Sequence, residues 1–210
     1  MEKPSYPTLE PFNFLGLDEQ NYGTAKVVIF PVPYNSTTYW KSGTKDGPQA
    51  LIEASRHIEL YDVETKKDAS KQGIFTLPLL APSKNSPEEV AAQIKEVVAQ
   101  TLSDKKFPVM IGGEHSVTLG AVQAFKEKFS NLSVLQIDAH SDLRDEFEGT
   151  KFHHACVMKR IKDLGLSITQ VGIRSMSEGE QADNLFLAPE IPVDKIIATL
   201  KENVYLTFDL

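Results

Sequence analysis

Cysteine is almost missing from this 210-residue sequence, where Cys156 stands alone. A single thiol excludes an internal disulfide and a thiolate zinc cage, so any metal must be held by imidazole and carboxylate. Positive charge is also short, with 22 Lys and Arg against 29 Asp and Glu and a formal charge of -7. No basic surface is available to neutralise a phosphate backbone, which excludes nucleic acid as a partner class. Long apolar runs are lacking as well. Pro, Gly or charge interrupts each one short of the about 20 residues a bilayer crossing needs, and Met1-Glu2-Lys3-Pro4 does not open a secretion signal. A cytoplasmic protein with no membrane partner is expected. Repeats and low-complexity tracts are missing too, so residues 1–210 read as one domain.

What is present is an alternation of short apolar, β-branched runs with helical patterns from residue 25 onward. That alternation predicts an α/β fold, a mainly parallel sheet covered by helices. Strands are expected at Val27 to Phe30, Val109 to Ile111, Val134 to Ile137, Ile168 to Ile173 and Val204 to Phe208. Each is nearly continuous in apolar residues, as strands covered on both faces are. Ser86-Pro87-Glu88-Glu89 carries a capping box with Pro at the first helical position, and Val90, Ile94, Val97, Val98 and Leu102 then share one helix face. Further helices are expected from Gly47-Pro48 through Leu51, Ala54, Ile58 and Tyr61, from Val117 to Phe129, and from Pro192 through Leu200. Residues 62–86 read as a solvated loop because of their charge run.

Chemistry gathers at the ends of three strands. Asp138-Ala139-His140-Ser141-Asp142 follows Ile137, and if the chain stays extended Asp138, His140 and Asp142 point the same way. Gly112-Gly113-Glu114-His115 follows Ile111, the glycines permitting a tight turn that delivers His115 to the same edge. Asp209 follows Phe208. In open parallel sheets ligands bind beyond the carboxyl ends of the strands. Unpaired carboxylates and imidazoles gathered there repel one another and lose hydration unless cations hold them. Three carboxylates and two imidazoles without thiolate favour Mn2+ over structural zinc, and carboxylates can bridge a pair of ions. The reaction class that follows is two-metal hydrolysis.

Taken in order, Gly112-Gly113-Glu114-His115-Ser116, Asp138-Ala139-His140-Ser141-Asp142, Gly172-Ile173-Arg174-Ser175 and Thr207-Phe208-Asp209 resemble the ureohydrolase (arginase/agmatinase) family, most closely its agmatinase branch. Pro31-Val32-Pro33-Tyr34, Gly43 and Gly47-Pro48 are similar as well. The resemblance implies a three-layer α-β-α fold and two manganese ions per complete subunit. One ion would take His115, Asp138, Asp142 and Asp209; the second would take His140 and share Asp138 and Asp209. It also implies attack at a guanidinium carbon, giving urea and an amine, with His154 and Asp142 at catalytic positions. His154 aligns with the proton carrier, whereas His153 stands where relatives tend to carry Ser. Arg174 is expected in a structural ion pair, and Cys156 as a small buried hydrophobe.

The loop Leu143-Arg144-Asp145-Glu146-Phe147-Glu148-Gly149 lacks the Ser and Asn with which arginase-like relatives hold an amino-acid head. Its three acids suit a terminal amine, so the expected reaction is agmatine to putrescine and urea, a step of polyamine biosynthesis. Guanidinobutyrate, arginine and formiminoglutamate are the alternative substrates. Ile52 stands near a position where relatives often carry Arg. The family motif continues past Leu210 to a further Asp ligand, so the chain is expected to be the C-terminally truncated form of a longer protein, lacking its last strands. An inactive fragment is the competing expectation. Relatives commonly form trimers or hexamers, and a homo-oligomer is expected of the full-length form.

Overall fold

The computed structural model describes residues 11–210. Along the chain run β1 (Val27–Val32), α1 (Gly47–Ser55), β2 (Tyr61–Asp62), β3 (Lys67–Asp68), β4 (Ile74–Thr76), α2 (Pro87–Ser103), β5 (Phe107–Gly112), α3 (Thr118–Lys128), β6 (Leu132–Ile137), α4 (Val157–Asp163), β7 (Ser167–Ile173), β8 (Asn184–Leu187), α5 (Val193–Ile197) and β9 (Asn203–Phe208). The parallel strands form two groups, ordered β4-β1-β5 and β8-β7-β6-β9, while β2 and β3 make a small antiparallel pair.

The helical layer over one face follows from side-chain parity. Phe30 and Val32 of β1 pack with Val90, Ile94 and Val98 of α2 and Ala121 of α3 in one core cluster. Val134 and Ile168 pack with Val122 of α3 and Met158 and Ile161 of α4 in a second. Phe125, Phe129 and Tyr205 lie against both clusters, so α3 joins the two strand groups. Ile29 has the opposite parity from Phe30 and is also buried, so β1 is covered on its other face too; α1 packs against β1 and β5. This is the three-layer α/β arrangement expected.

Ser86 caps α2 by accepting the amide of Glu89 at 3.2 Å, a contact of the kind that stabilises a helix by about 1 kcal/mol. The Glu89 carboxylate turns outward to Ser83 and Asn85. Helix α3 lies close on α2 at Gly120, where a Cβ would stand 2.3 Å from the carbonyl oxygen of Ala91.

Several sequence expectations needed correction. Helix α1 ends at Ser55, leaving Ile58 exposed and Tyr61 in a strand. The stretch 62–86 holds β4, which pairs in parallel with β1 and buries Ile74, as well as the solvated turn between β2 and β3. Strand β9 is covered on one face only: Tyr205 and Thr207 turn inward while Val204, Leu206 and Phe208 are exposed. Ile52, at the position compared with Arg, is fully buried as a core side chain. No helix among the described residues is long and apolar enough to cross a membrane.

Candidate metal centre

Strand register brings the acidic residues to one level. Strands β6 and β9 pair with Ile137 opposite Phe208, and the Asp209 amide donates to the Ile137 carbonyl at 2.9 Å, so Asp138 and Asp209 emerge side by side. From the other strand group, β5 ends at Gly112 and the chain turns at Gly113. A Cβ on Gly113 would fall 2.0 Å from the Tyr34 carbonyl oxygen, which also accepts the Glu114 amide at 2.9 Å. Only glycine permits that backbone approach, and it sets His115 facing the acids.

His115 Nδ1 lies 2.9 Å from Asp142 Oδ2, 3.2 Å from Asp138 Oδ2 and 3.4 Å from Asp209 Oδ2. Ligand atoms of these four residues all lie within 4.8 Å of one another. Burial by itself would lower the His115 imidazole, but bonds to Asp138 and Asp142 and the charges of Asp142 and Asp209 raise it to about 10. Burial raises Asp138, yet the bond and charge of His115, with donors from His140 and Gln136, bring it below the usual carboxylate range. Asp209 stays above that range through its own desolvation and the charges of Asp138 and Asp142, against the pull of His115 and His140.

Three carboxylates against one imidazolium leave negative charge in a mostly buried cluster, a donor set that suits divalent cations of intermediate hardness. Of the five ligands expected, the structure gathers His115, Asp138, Asp142 and Asp209. His140 stands at the rim: its side chain is 63% exposed, with Nδ1 3.5 Å from Asp138 Oδ1. The extended run assumed for 138–142 is broken, because Asp142 adopts φ 50, a left-handed conformation that Asp tolerates better than most residues. That turn folds Asp142 back beside Asp138 while His140 remains outward.

The cluster opens into a pocket of about 550 Å3 whose lining includes His115, His140, Asp142, Asp209, His154, Arg144, Phe147, Tyr39 and Glu180. His154 starts a short helical turn, His154–Cys156, and faces this pocket; its Nδ1 lies 3.1 Å from Thr37 Oγ1. His153 is 1% exposed, accepts the Ala155 amide at Nδ1, and stacks edge-on against Phe147. Desolvation, with the neighbouring His154, holds its imidazole below the ordinary value. Cys156 is buried, and desolvation pushes its thiol up. Arg174 is exposed and makes no ion pair among the described residues, contrary to expectation; only its amide is used, donating to Ala139.

The acids of the 143–149 loop do not turn inward as expected. Asp145 is taken by Arg160 at 2.5 Å and approached by Lys151 at 3.7 Å, and Glu148 lies 3.7 Å from His153. Arg144, stacked on Phe147 at 4.3 Å, is the charged residue this loop presents to the pocket. Acids reaching the pocket from elsewhere are Glu114, Asp142, Asp209 and Glu180; Glu180 accepts from Ser141 Oγ and the Ser177 amide and lies 4.0 Å from Arg144 Nε.

Sequence reasoning passed over a set of supporting residues. Gln136 donates to Asp138 Oδ2 at 2.7 Å and to the His140 carbonyl at 3.0 Å, and is itself held by Gln170 at 2.5 Å. Thr207 meets His115 Nε2 at 2.9 Å. A glutamine between Leu135 and Ile137 in a buried strand was the available signal, since a buried amide needs partners.

Comparison with known proteins gives a consistent picture. The model of the Arginase family matches residues 25–210. An N(1)-aminopropylagmatine ureohydrolase of Synechocystis sp. is 36% identical over 231 residues, spanning 100% of this chain and 75% of the relative. An agmatinase of Pyrococcus horikoshii is 30% identical, over 89% of this chain and 68% of its own. The crystal structure of the agmatine ureohydrolase of Thermoplasma volcanium superposes with a TM-score of 0.83 at 32% identity, covering 96% of this chain and 71% of that one.

Proposed function

The chain belongs to the arginase family, and from that premise we propose that it is a binuclear-manganese amidinohydrolase that converts agmatine to putrescine and urea. The observation that carries the reading is the cluster of His115, Asp138, Asp142 and Asp209 at the base of an open pocket. Its donor set and negative charge fit Mn2+; His115, Asp138, Asp142 and Asp209 would hold one ion, and His140 a second that shares Asp138 and Asp209. Bound there, the ions supply Lewis acidity toward the guanidinium group and toward water near neutral pH.

The chain's own residues have separate tasks. Asp138 is fixed by Gln136 and the His140 amide, so its carboxylate cannot swing when charge changes nearby. His154, on the pocket wall, takes and returns the proton that hydrolysis must deliver to the departing amine. Asp142 acts both as a ligand and as a negative neighbour of the cationic substrate. The pocket leaves room for an alkylamine chain beyond the reacting carbon, and Asp142, Asp209 and Glu180 make its lining acidic, with Glu180 itself paired to Arg144 at 4.0 Å. We place this activity in polyamine synthesis in the cytoplasm, in a single-domain subunit that assembles as a trimer or hexamer.

A second reading extends the substrate by an aminopropyl group. It is favoured by the name of the 36% identical relative and by the exposed ring of Tyr39 in the pocket lining, a face on which a second ammonium can stack. The test is urea release by the Mn2+-loaded chain from agmatine, N(1)-aminopropylagmatine, arginine, guanidinobutyrate and formiminoglutamate. Agmatine is expected to be turned over with the highest kcat/KM. Preference for the aminopropyl compound would establish the second reading, and faster turnover of arginine would overturn both.

A further inference from the structure

Glu114 sits between the paired glycines and His115, and it is not a member of the ligand cluster. It is nonetheless 3% exposed and fully engaged: Oε2 accepts the amides of Ser36 at 2.6 Å and Thr37 at 2.7 Å, and Oε1 accepts the hydroxyls of Thr37 at 2.9 Å and Ser116 at 2.5 Å. A carboxylate only accepts, so the Thr37 hydroxyl proton is committed to Glu114. Thr37 Oγ1 then has two lone pairs left. One accepts the His154 amide at 3.0 Å, and the other faces His154 Nδ1 at 3.1 Å. With no proton of its own to give, Thr37 can bond Nδ1 only if the imidazole supplies the proton.

We infer that Glu114, acting through Thr37, is a positioning residue that fixes the tautomer of His154 with the proton on Nδ1 and the lone pair on Nε2. The inference rests on the reading of His154 as the proton carrier for its functional meaning, and on the hydrogen-bond inventory for its geometry. Nε2 is the one ring nitrogen left for the pocket that His154 lines. In the neutral ring it is therefore a base there. It takes a proton from a donor in the pocket to become imidazolium, whose Nδ1–H stays bonded to Thr37 with the Glu114 charge behind it. It then returns that proton from Nε2 to the departing amine, restoring the neutral ring with no net change.

The adjacent ring has the opposite arrangement. His153 Nδ1 accepts the Ala155 amide, which puts the neutral ring's proton on Nε2. Two successive histidines are thus held in opposite tautomers, one turned to the pocket and one to the core, and the second serves as an internal reference.

The experiment is long-range 1H–15N correlation on the full chain labelled at histidine, with Mg2+ supplied as a diamagnetic divalent ion and the rings neutral. His154 is expected as the Nδ1–H tautomer and His153 as Nε2–H. Thr37→Val should shift His154 toward Nε2–H and leave His153 unchanged, while Thr37→Ser should keep the Nδ1–H form. His154 found as Nε2–H, or still wholly Nδ1–H in Thr37→Val, would overturn the inference. With Mn2+, Thr37→Val should lower kcat about 10- to 100-fold with little change in KM, and Thr37→Ser should restore it. Full activity in His154→Ala would instead remove the proton-carrier reading, and the spectra would still decide the tautomer.

Discussion

His115 and Thr207 meet across 92 positions of sequence, with Nε2 of the ring 2.9 Å from the threonine hydroxyl. The bond leaves Nδ1 as the nitrogen that faces Asp138, Asp142 and Asp209, so Thr207 orients the ring proposed as a metal ligand. Removing such a partner commonly costs about 10- to 100-fold in metal affinity. Thr207→Val keeps shape and burial, and should weaken Mn2+ binding by that factor in calorimetric titration while the far-ultraviolet dichroism stays unchanged. Unaltered affinity would mean the hydroxyl is only packing.

The proton on His115 should be visible in both stability and binding. Its folded-state value of about 10 lies above the 6.5 of the ordinary ring, so the stabilisation it contributes to the metal-free chain is full below pH 6.5 and lost as pH rises through about 10. Thermal melts of the metal-free chain should fall across that window. A cation at Nδ1 must displace the proton, so Mn2+ binding at about pH 8 should release a proton and tighten with rising pH. Titration in two buffers of different ionisation enthalpy measures the release directly.

Acid should destabilise the chain through His153. Its ring is buried and shifted downward by desolvation, so the unfolded state takes up the proton first as pH falls below about 6.5. Stability should decline there. His153→Asn preserves an acceptor for the Ala155 amide and removes the titration, so its urea midpoint should be flatter between pH 7 and 5 than that of the parent. An identical slope would assign the acid loss to other groups.

Gly113→Ala places a methyl against a backbone oxygen at 2.0 Å, where no side chain can move aside. The expected cost is about 1–3 kcal/mol or more from overpacking, together with a displaced Glu114–His115 turn. Denaturant unfolding gives the first, and loss of Mn2+ affinity the second. A stable variant with normal affinity would show that the turn has an alternative path.

Most of the architecture was legible because it depends on local pattern. The strands at Val27, Val109, Val134, Ile168 and Val204 and the capped helix after Ser86 are short-range signals of hydrophobic period and end chemistry. Strand β4 was hidden because Ile74–Thr76 offers only three residues beside a charge run, and it is a strand through its pairing with β1. Helix α1 was drawn too long because Ile58 and Tyr61 continue the period, although the chain turns at Arg56. The acids at 145–148 suited a substrate amine by charge, but Arg160, Lys151 and His153 lie closer and take up two of them.

Residue types and their order were enough to place the chain in its chemistry: one thiol, acids and histidines at three strand ends, and two glycines before His115. Those are facts of composition and spacing, and they need no partner in space. The left-handed turn that folds Asp142 back, the exposed stance of His140, the placement of His154 at the pocket and His153 in the core, and the Glu114–Thr37 contact required the fold. Each depends on which groups distant in sequence compete for the same hydrogen bond or the same buried volume, and only packing decides that competition.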